Sequence, residues 1–135
     1  SISARSQLNT IYGRHKAAAE KLVSNESNLI IRLGPMYGED LNKGVLIDMK
    51  NDRPVYVSKK SLYCFAPVDW IGEWISQNMH LCGTIDLGSN DAIKLEEVAR
   101  KVGSKSIFNG PLDNQIISKR IVNAPEAKNV IDFLL

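Results

Sequence analysis

The chain has 135 residues, of which 44% are hydrophobic and 24% are charged, and its formal net charge is +2. This length suits one domain or part of a larger one, and the composition is that of a soluble globular protein rather than a disordered one. The basic residues are scattered, and adjacent pairs such as Lys59-Lys60 and Lys119-Arg120 do not lie among spaced aromatic residues. Because nucleic-acid binding requires a basic surface that neutralises phosphates, a nucleic acid is not an expected partner.

The spacing of the cysteines and the length of the apolar runs indicate the cellular compartment in which the protein is expected. Cys64 and Cys82 lack CxxC spacing and lie in apolar stretches, where a free cysteine usually behaves as a small buried hydrophobic residue. No apolar run approaches the ~20 residues of a membrane span, and no signal peptide opens the chain. We therefore expect a cytoplasmic protein with reduced thiols and no membrane partner. The sequence opens on serine rather than methionine, so it begins inside a longer reading frame or follows a removed tag.

Hydrophobic periodicity and turn residues predict the secondary structure. In the first half of the chain, the predicted elements are a helix at 11–23, a buried strand at 28–33, a helix at 41–50 and short strands at 54–58 and 62–65. In the second half they are a helix at 68–79, a strand at 83–88 and a helix at 95–102 that Gly103 ends. An irregular stretch at 104–123 follows, and then a helix at 125–135 that begins at Pro125. This order predicts the α/β class without an internal repeat. A complete doubly wound domain would need more strands than these.

The sequence Tyr12-Gly13-Arg14-His15-Lys16 forms a Y-x-x-x-K motif. On a helix, residues four apart lie on the same face, so the phenol of Tyr12 and the ammonium of Lys16 can converge on one ligand. An adjacent positive charge favours the ionised phenol, whose ordinary pKa is ~10. Tyr12 can then exchange a proton with a substrate hydroxyl or carbonyl while a nicotinamide exchanges hydride at the same carbon.

The surroundings of this motif closely resemble one family. The string Y-G-R-H-K-A-A-A-E-K-L-V is followed by a predicted strand and by R-L-G-P-M-Y-G-E; further on come F-A-P-V-D-W-I-G-E-W-I, G-T-I-D-L-G and L-E-E-V-A. In this order, over residues 12–103, these segments resemble the extended short-chain dehydrogenase/reductases, also called the NAD-dependent epimerase/dehydratase family. The resemblance covers the C-terminal part of that family, so it implies the C-terminal portion of a Rossmann-like fold, with few strands, packed helices and no N-terminal dinucleotide-binding half.

The resemblance implies roles for five residues. Tyr12 would be the catalytic acid/base, and Lys16 would lower its pKa and hydrogen-bond the nicotinamide ribose. Leu33 and Gly34 would pass close to the nicotinamide. Ser3, or less favourably Ser1, would polarise the substrate oxygen. The implied cofactor is NAD or NADP, and no metal site is expected.

The resemblance also implies an organisation and partners. Residues 1–34 would end the Rossmann-like part, and residues 35–135 would form mainly the substrate-side region of one partial domain. The implied activity is that of an NAD(P)-dependent oxidoreductase or epimerase, and the implied substrate is a small sugar-type molecule, either a sugar or a nucleotide-sugar-like compound. The implied protein partner is a second copy in a homodimer, because the helix that carries Tyr12 and Lys16 commonly lies at a dimer interface in the family, or else the missing N-terminal half.

Three departures from the family pattern limit what this chain is expected to do. The glycine-rich turn G-x-x-G-x-x-G, which lets a backbone approach the pyrophosphate, is absent from the sequence. Pro35 stands where nucleotide-sugar enzymes of the family usually have asparagine, and Tyr63 stands where many have an arginine for the diphosphate. Lys59, Lys60 or Arg120 would have to supply that charge instead. We expect the chain alone to hold a dinucleotide poorly.

Several residues have a plain structural interpretation. We expect His15 to be a surface or packed residue, Trp70 and Trp74 to pack, Asp69 to cap its helix, Arg32 to form an ion pair and Tyr37-Gly38 to fix a loop. Two alternatives to an enzyme remain open. The chain is a truncated, non-catalytic homologue that serves as a binding or assembly module, or it is an unrelated α/β domain with chance motifs.

Overall fold

The computed structural model describes residues 17–22 and 26–135. Of the helix predicted at 11–23, residues 17–21 are helical, and Ser3, Tyr12 and Lys16 lie outside the described residues. The described elements are β1 (Leu29–Leu33), β2 (Met36–Tyr37), α1 (Val45–Lys50), β3 (Leu62–Tyr63), β4 (Ala66–Pro67), α2 (Val68–Gln77), β5 (Gly83–Leu87), β6 (Ile93–Lys94), α3 (Leu95–Val102) and α4 (Asn129–Leu134). The described part of the chain is thus mixed α/β with few strands and packed helices, as predicted.

The longest strands, β1 and β5, form a parallel pair. Their register runs from Leu29 opposite Gly83 to Leu33 opposite Leu87. Parallel neighbours require a crossover connection, and here the chain between them includes α2, which packs Ile71 against the pair. The prediction that the first strand is buried was wrong. Its residues are half-buried and Leu33 is 41% exposed, since within the described ranges β5 is the only strand paired with β1.

The remaining strands are short and run in separate pairs. β2 pairs with β4 in parallel, and β3 pairs with β6 in antiparallel orientation. The strand predicted at 54–58 was wrong, because Val55 makes only an isolated bridge to Phe108. Beyond that bridge Gly110 lies against the backbone carbonyl of Tyr56, where a Cβ atom would come within 2.1 Å of the oxygen. The two backbones therefore cross closely at Gly110.

Three helices are shorter than predicted, each for a local reason. α1 begins at Val45 because Gly44 has a φ of 114°, which a helix does not accommodate. α2 ends before Met79, which is 74% exposed, and the Asn78 side chain donates to the carbonyl of Trp74 at 2.7 Å. α4 begins at Asn129, so Pro125 lies outside its first turn. The prediction for α3 was confirmed, and Gly103 ends it with a φ of 71°.

Two hydrophobic clusters hold these elements together. The larger is formed by buried residues of β2, β3, β6, α1, α3 and α4 and of the segments between them, with Tyr37, Met49, Phe65, Val98 and Val130 among them. The smaller joins α2 to the β1–β5 pair, and Trp70 and Trp74 pack against it, which confirms their predicted role. Burying apolar area at about 25 cal/mol per Å² is the main stabilising contribution to both. None of the helices in the described ranges is long and apolar enough to cross a membrane.

Candidate functional site

The carboxyl end of the β1–β5 pair is the first candidate feature. Leu33 ends β1 with an exposed side chain, and the buried Gly34 donates its backbone N–H to the carbonyl of Leu87 at 2.9 Å. In α/β sheets, ligands bind beyond the carboxyl ends of parallel strands. Leu33 and Gly34 therefore lie at the end of the strand pair where ligands bind in such sheets, and their role toward a nicotinamide stays a prediction.

A cavity of about 300 Å³ begins directly after Gly34. We call it the Tyr63 cavity. Its described lining residues are Pro35, Met36, Tyr37, Gly38, Leu41, Lys43, Gly44, Val45, Leu46, Ile47, Tyr63, Phe65, Gln115 and Phe133. The β2–β4 pairing brings one wall into place, and Ala66 donates its N–H to the Pro35 carbonyl at 3.1 Å. The start of α1 and the Phe133 ring of α4 enclose the other sides, so most of the lining is apolar.

The polar wall of the Tyr63 cavity is a hydrogen-bonded triad. The Tyr63 phenol donates to Oδ2 of Asp113 at 3.0 Å, and the Gln115 amide donates to the same oxygen at 2.9 Å. Backbone bonds fix this arrangement: Gln115 donates to the Leu62 carbonyl at 2.8 Å and accepts from the N–H of Cys64 at 2.8 Å. Burial first, and then the charge and hydrogen bond of Asp113, raise the pKa of the Tyr63 phenol. The phenol is therefore a neutral donor, committed to the carboxylate.

Tyr37 separates the Tyr63 cavity from a second, neighbouring cavity of about 360 Å³ that Glu39, Asp40 and Asp69 help to line. The Tyr37 ring is buried against Phe133 with ring centroids 5.1 Å apart. Burial, followed by the charge of Asp132, raises the pKa of its phenol. These contacts fit the interpretation that Tyr37 holds the loop after β2.

The cationic residue of the Tyr63 cavity is not one that the sequence indicated. Lys43 is the charged residue among the described lining residues, whereas Lys59, Lys60 and Arg120 do not line it. Lys60 instead pairs with Glu96 at 2.8 Å on the surface. No motif marked Lys43, since a lysine in a loop carries no spacing signal.

Gln115 and Asp113 were also missed by sequence reasoning. Both lie in the irregular stretch 104–123, and Asp113 reaches Tyr63 across 50 positions of sequence. A polar residue brought to a wall by such a long-range contact leaves no local pattern in the sequence.

Two further expectations were decided by the structure. Arg32 forms the predicted ion pair, with Glu20 at 2.8 Å and Asp86 at 3.8 Å. Asp69 does not cap its helix: the cap position of α2 is Pro67, no side chain makes a capping hydrogen bond, and Asp69 is exposed in the first turn.

The prediction that both cysteines are buried holds for one of them and fails for the other. Cys64 is buried as predicted, and burial raises the pKa of its thiol to about 12. Cys82 is exposed, so the prediction was wrong for it, because its segment lies in the surface turn between α2 and β5.

A dinucleotide fits this part of the molecule only in part. The junction after β1 is Gly34-Pro35-Met36, and the proline offers no backbone N–H, so this loop does not present the run of donors that a pyrophosphate requires. Within the described ranges, no group of three histidine, cysteine, aspartate or glutamate side chains is arranged to hold a metal ion.

The amino-acid sequence matches no protein-family model, and no curated protein matches it. Solved structures do match. The MoeE5 protein in complex with UDP-glucose and NAD superposes with a TM-score of 0.68 at 14% identity, over 91% of this chain and 52% of that one. The dTDP-glucose 4,6-dehydratase of Bacillus anthracis in complex with NAD gives a TM-score of 0.66 at 16% identity, over 81% of this chain and 43% of that one.

A third match extends the same likeness. The UDP-N-acetylglucosamine 4-epimerase of Methanobrevibacter ruminantium M1, in complex with UDP-N-acetylmuramic acid, gives a TM-score of 0.64 at 16% identity, over 91% of this chain and 50% of that one. This chain thus spans about half the length of the structures it matches. It has the fold of part of an extended short-chain dehydrogenase/reductase, consistent with the C-terminal part that the sequence motifs indicated.

Proposed function

We propose that this chain is the substrate-side part of an NAD(P)-dependent oxidoreductase or epimerase that acts on a sugar or nucleotide-sugar-like substrate. The observation that carries the proposal is the Tyr63 cavity, which begins one residue after Gly34 at the carboxyl end of β1. A substrate held there would have its reacting end near the strand end where a nicotinamide would lie. The matching structures, which include a UDP-N-acetylglucosamine 4-epimerase and a dTDP-glucose 4,6-dehydratase, support the same reaction class.

In this proposal the chain's own residues bind, orient and move protons. Tyr12 exchanges a proton with the substrate oxygen, Lys16 keeps the Tyr12 phenol acidic and holds the nicotinamide ribose, and Ser3 polarises the substrate oxygen. Leu33 and Gly34 form the surface against the nicotinamide. The bound NAD or NADP supplies hydride exchange at the reacting carbon. Residues 1–34 belong to the Rossmann-like part and residues 35–135 mainly to the substrate side.

The isolated chain is proposed to be inactive, because its sequence has no glycine-rich turn for the pyrophosphate. The test is a chimera in which a glycine-rich dinucleotide-binding half precedes Ser1, assayed for hydride transfer by nicotinamide absorbance. Tyr12→Phe is expected to lower its turnover about 10²- to 10⁴-fold. Lys16→Met is expected to move the pH profile to higher pH, because the phenol loses the charge that lowers its pKa. His15→Gln is the control on the same predicted helix.

The second candidate is a non-catalytic binding or assembly module that functions as a homodimer. It is favoured by apolar side chains left exposed around β1, Leu33 at 41% and Leu22 at 89%. A chimera that binds NADH but shows no Tyr12-dependent hydride transfer would favour this candidate. Sedimentation of the chain as a monomer at high concentration would count against it. For either candidate we propose a cytoplasmic location, since Cys64 and Cys82 are both free thiols.

A further inference from the structure

The charge around the Tyr63 cavity restricts what its ligand can carry. Lys43 is the one charged residue among the lining residues that the structure describes. Asp113 is not itself a lining residue, but its carboxylate is hydrogen-bonded to two that are, 3.0 Å from the Tyr63 phenol and 2.9 Å from the Gln115 amide. A ligand with several negative charges would meet one cation and one anion there, so its charge would go largely uncompensated on leaving water.

Two side-chain hydrogen-bond donors of the cavity are already committed to Asp113. The Tyr63 phenol and one N–H of the Gln115 amide point to Asp113, and the raised pKa of Tyr63 keeps its proton on the phenol. A diphosphate is recognised by several donors that converge on its oxygens, most effectively by a guanidinium fork. None of the described lining side chains supplies such a fork; the side-chain donors that remain are one Gln115 amide N–H, the Tyr37 phenol and the Lys43 ammonium.

The rest of the surface is apolar and partly aromatic, with Leu41, Val45, Leu46, Phe65 and Phe133 among the lining residues. Such a surface favours the burial of a flat or apolar body. We infer that the Tyr63 cavity binds an organic monoanion with an apolar body, anchored through Lys43, and selects against nucleoside diphosphates. This inference rests on the proposed function, since the ligand part in question is the non-reacting end of the substrate.

The probe is 1-anilinonaphthalene-8-sulfonate, which combines an aromatic body with a single sulfonate. Titrated into the full 135-residue chain at low ionic strength, it is expected to show a saturable rise in fluorescence. Lys43→Gln is expected to weaken its binding about two- to fivefold, as for a partly exposed ion pair. Asp113→Asn, which keeps an acceptor for Tyr63, is expected to strengthen it by a similar factor.

Two controls locate the probe. Lys119→Gln removes the same charge at an exposed position outside the cavity and is expected to leave the affinity unchanged. Tyr56→Ser removes a side chain that is 74% exposed elsewhere on the surface, and it is also expected to have no effect. Urea midpoints of all four variants close to that of the parent chain exclude a fold defect as the cause of any change.

Competition between nucleotides and the bound probe tests whether the cavity selects against nucleoside diphosphates. UDP and UDP-glucose in large molar excess are expected to leave the probe bound. Displacement by either one, unsaturable probe binding, or affinities unchanged in Lys43→Gln and Asp113→Asn would overturn the inference. Displacement by UDP-glucose would at the same time support the proposed function. Failure of the proposed function would appear instead as a chimera without Tyr12-dependent hydride transfer, whatever the probe does.

Discussion

The Tyr63 phenol donates a hydrogen bond of 3.0 Å to Asp113, and this contact ties β3 to a segment 50 positions later in the sequence. The Gln115 amide reinforces it on the same carboxylate oxygen. Because Tyr63 also belongs to the larger hydrophobic cluster, the bond couples the polar wall of the cavity to the core. The shape of the cavity therefore depends on this hydrogen bond as well as on the packing of the core.

Removing the phenol oxygen should cost stability. Tyr63→Phe keeps the ring and its packing against Phe65, with ring centroids 5.4 Å apart, but removes a partly buried hydrogen bond to a charged acceptor. We expect the free energy of unfolding to fall by about 1.5–3 kcal/mol, measured by urea denaturation. Tyr56→Phe, at a position 74% exposed, is the matched control and should change it negligibly. Equal losses in both variants would contradict the structural role of the bond.

The same phenol should make stability depend on alkaline pH. Its pKa is raised above the ordinary value of 10.0 by burial and by Asp113. A raised folded-state pKa stabilises the fold fully below the unfolded value, and this contribution is lost as pH rises above it. The parent chain should therefore lose stability more steeply than Tyr63→Phe above pH 10. Parallel curves for the two proteins, from urea titrations across that range, would refute the assignment.

The two cysteines should react at very different rates. Cys82 is exposed, whereas Cys64 is fully buried and burial raises the pKa of its thiol to about 12. At pH near 8, a disulfide reagent such as DTNB should label one thiol rapidly and the second only after denaturation. Cys82→Ser should abolish the rapid phase, and Cys64→Ser should retain it. Rapid labelling of both thiols in the native chain would show that the Cys64 environment is open.

Two glycine substitutions should have opposite effects. In Gly110→Ala the added Cβ would lie 2.1 Å from the Tyr56 carbonyl oxygen, so the crossing of the two backbones must open, and we expect a loss of about 1–3 kcal/mol. In Gly72→Ala the Cβ meets nothing within 4 Å on the exposed face of α2, and the helix should gain about 0.5–1 kcal/mol. Thermal or urea unfolding measures both. A stable Gly110→Ala variant would mean that the crossing is looser than described.

The elements that sequence alone predicted best are those whose signals are local. α3 was bounded correctly because its apolar residues repeat at helical spacing and Gly103 ends it. β5 was predicted because glycines bound the short segment at both ends. The alternating pattern at 54–58 predicted a strand, but this segment makes an isolated bridge at Val55 and a close backbone crossing at Gly110. That crossing joins distant segments, so no local pattern reports it.

The residues of the candidate site likewise divide into those with a local sequence signal and those without one. Leu33 and Gly34 came from a motif around a single strand end, and the structure places them at the carboxyl end of the β1–β5 pair. Lys43, Asp113 and Gln115 reach the Tyr63 cavity from loops, through tertiary contacts that carry no spacing signal. The roles of Ser3, Tyr12 and Lys16 stay predictions, because these residues lie outside the described ranges.

The most direct test of the central claim is calorimetric titration of the 135-residue chain with NADH. If the chain is a substrate-side part without a phosphate-binding turn, NADH should show no saturable binding in the micromolar range. Tyr12→Phe and Lys16→Met should leave that result unchanged. Micromolar affinity for NADH, lost in Lys16→Met, would contradict the account and show that this chain holds its cofactor alone.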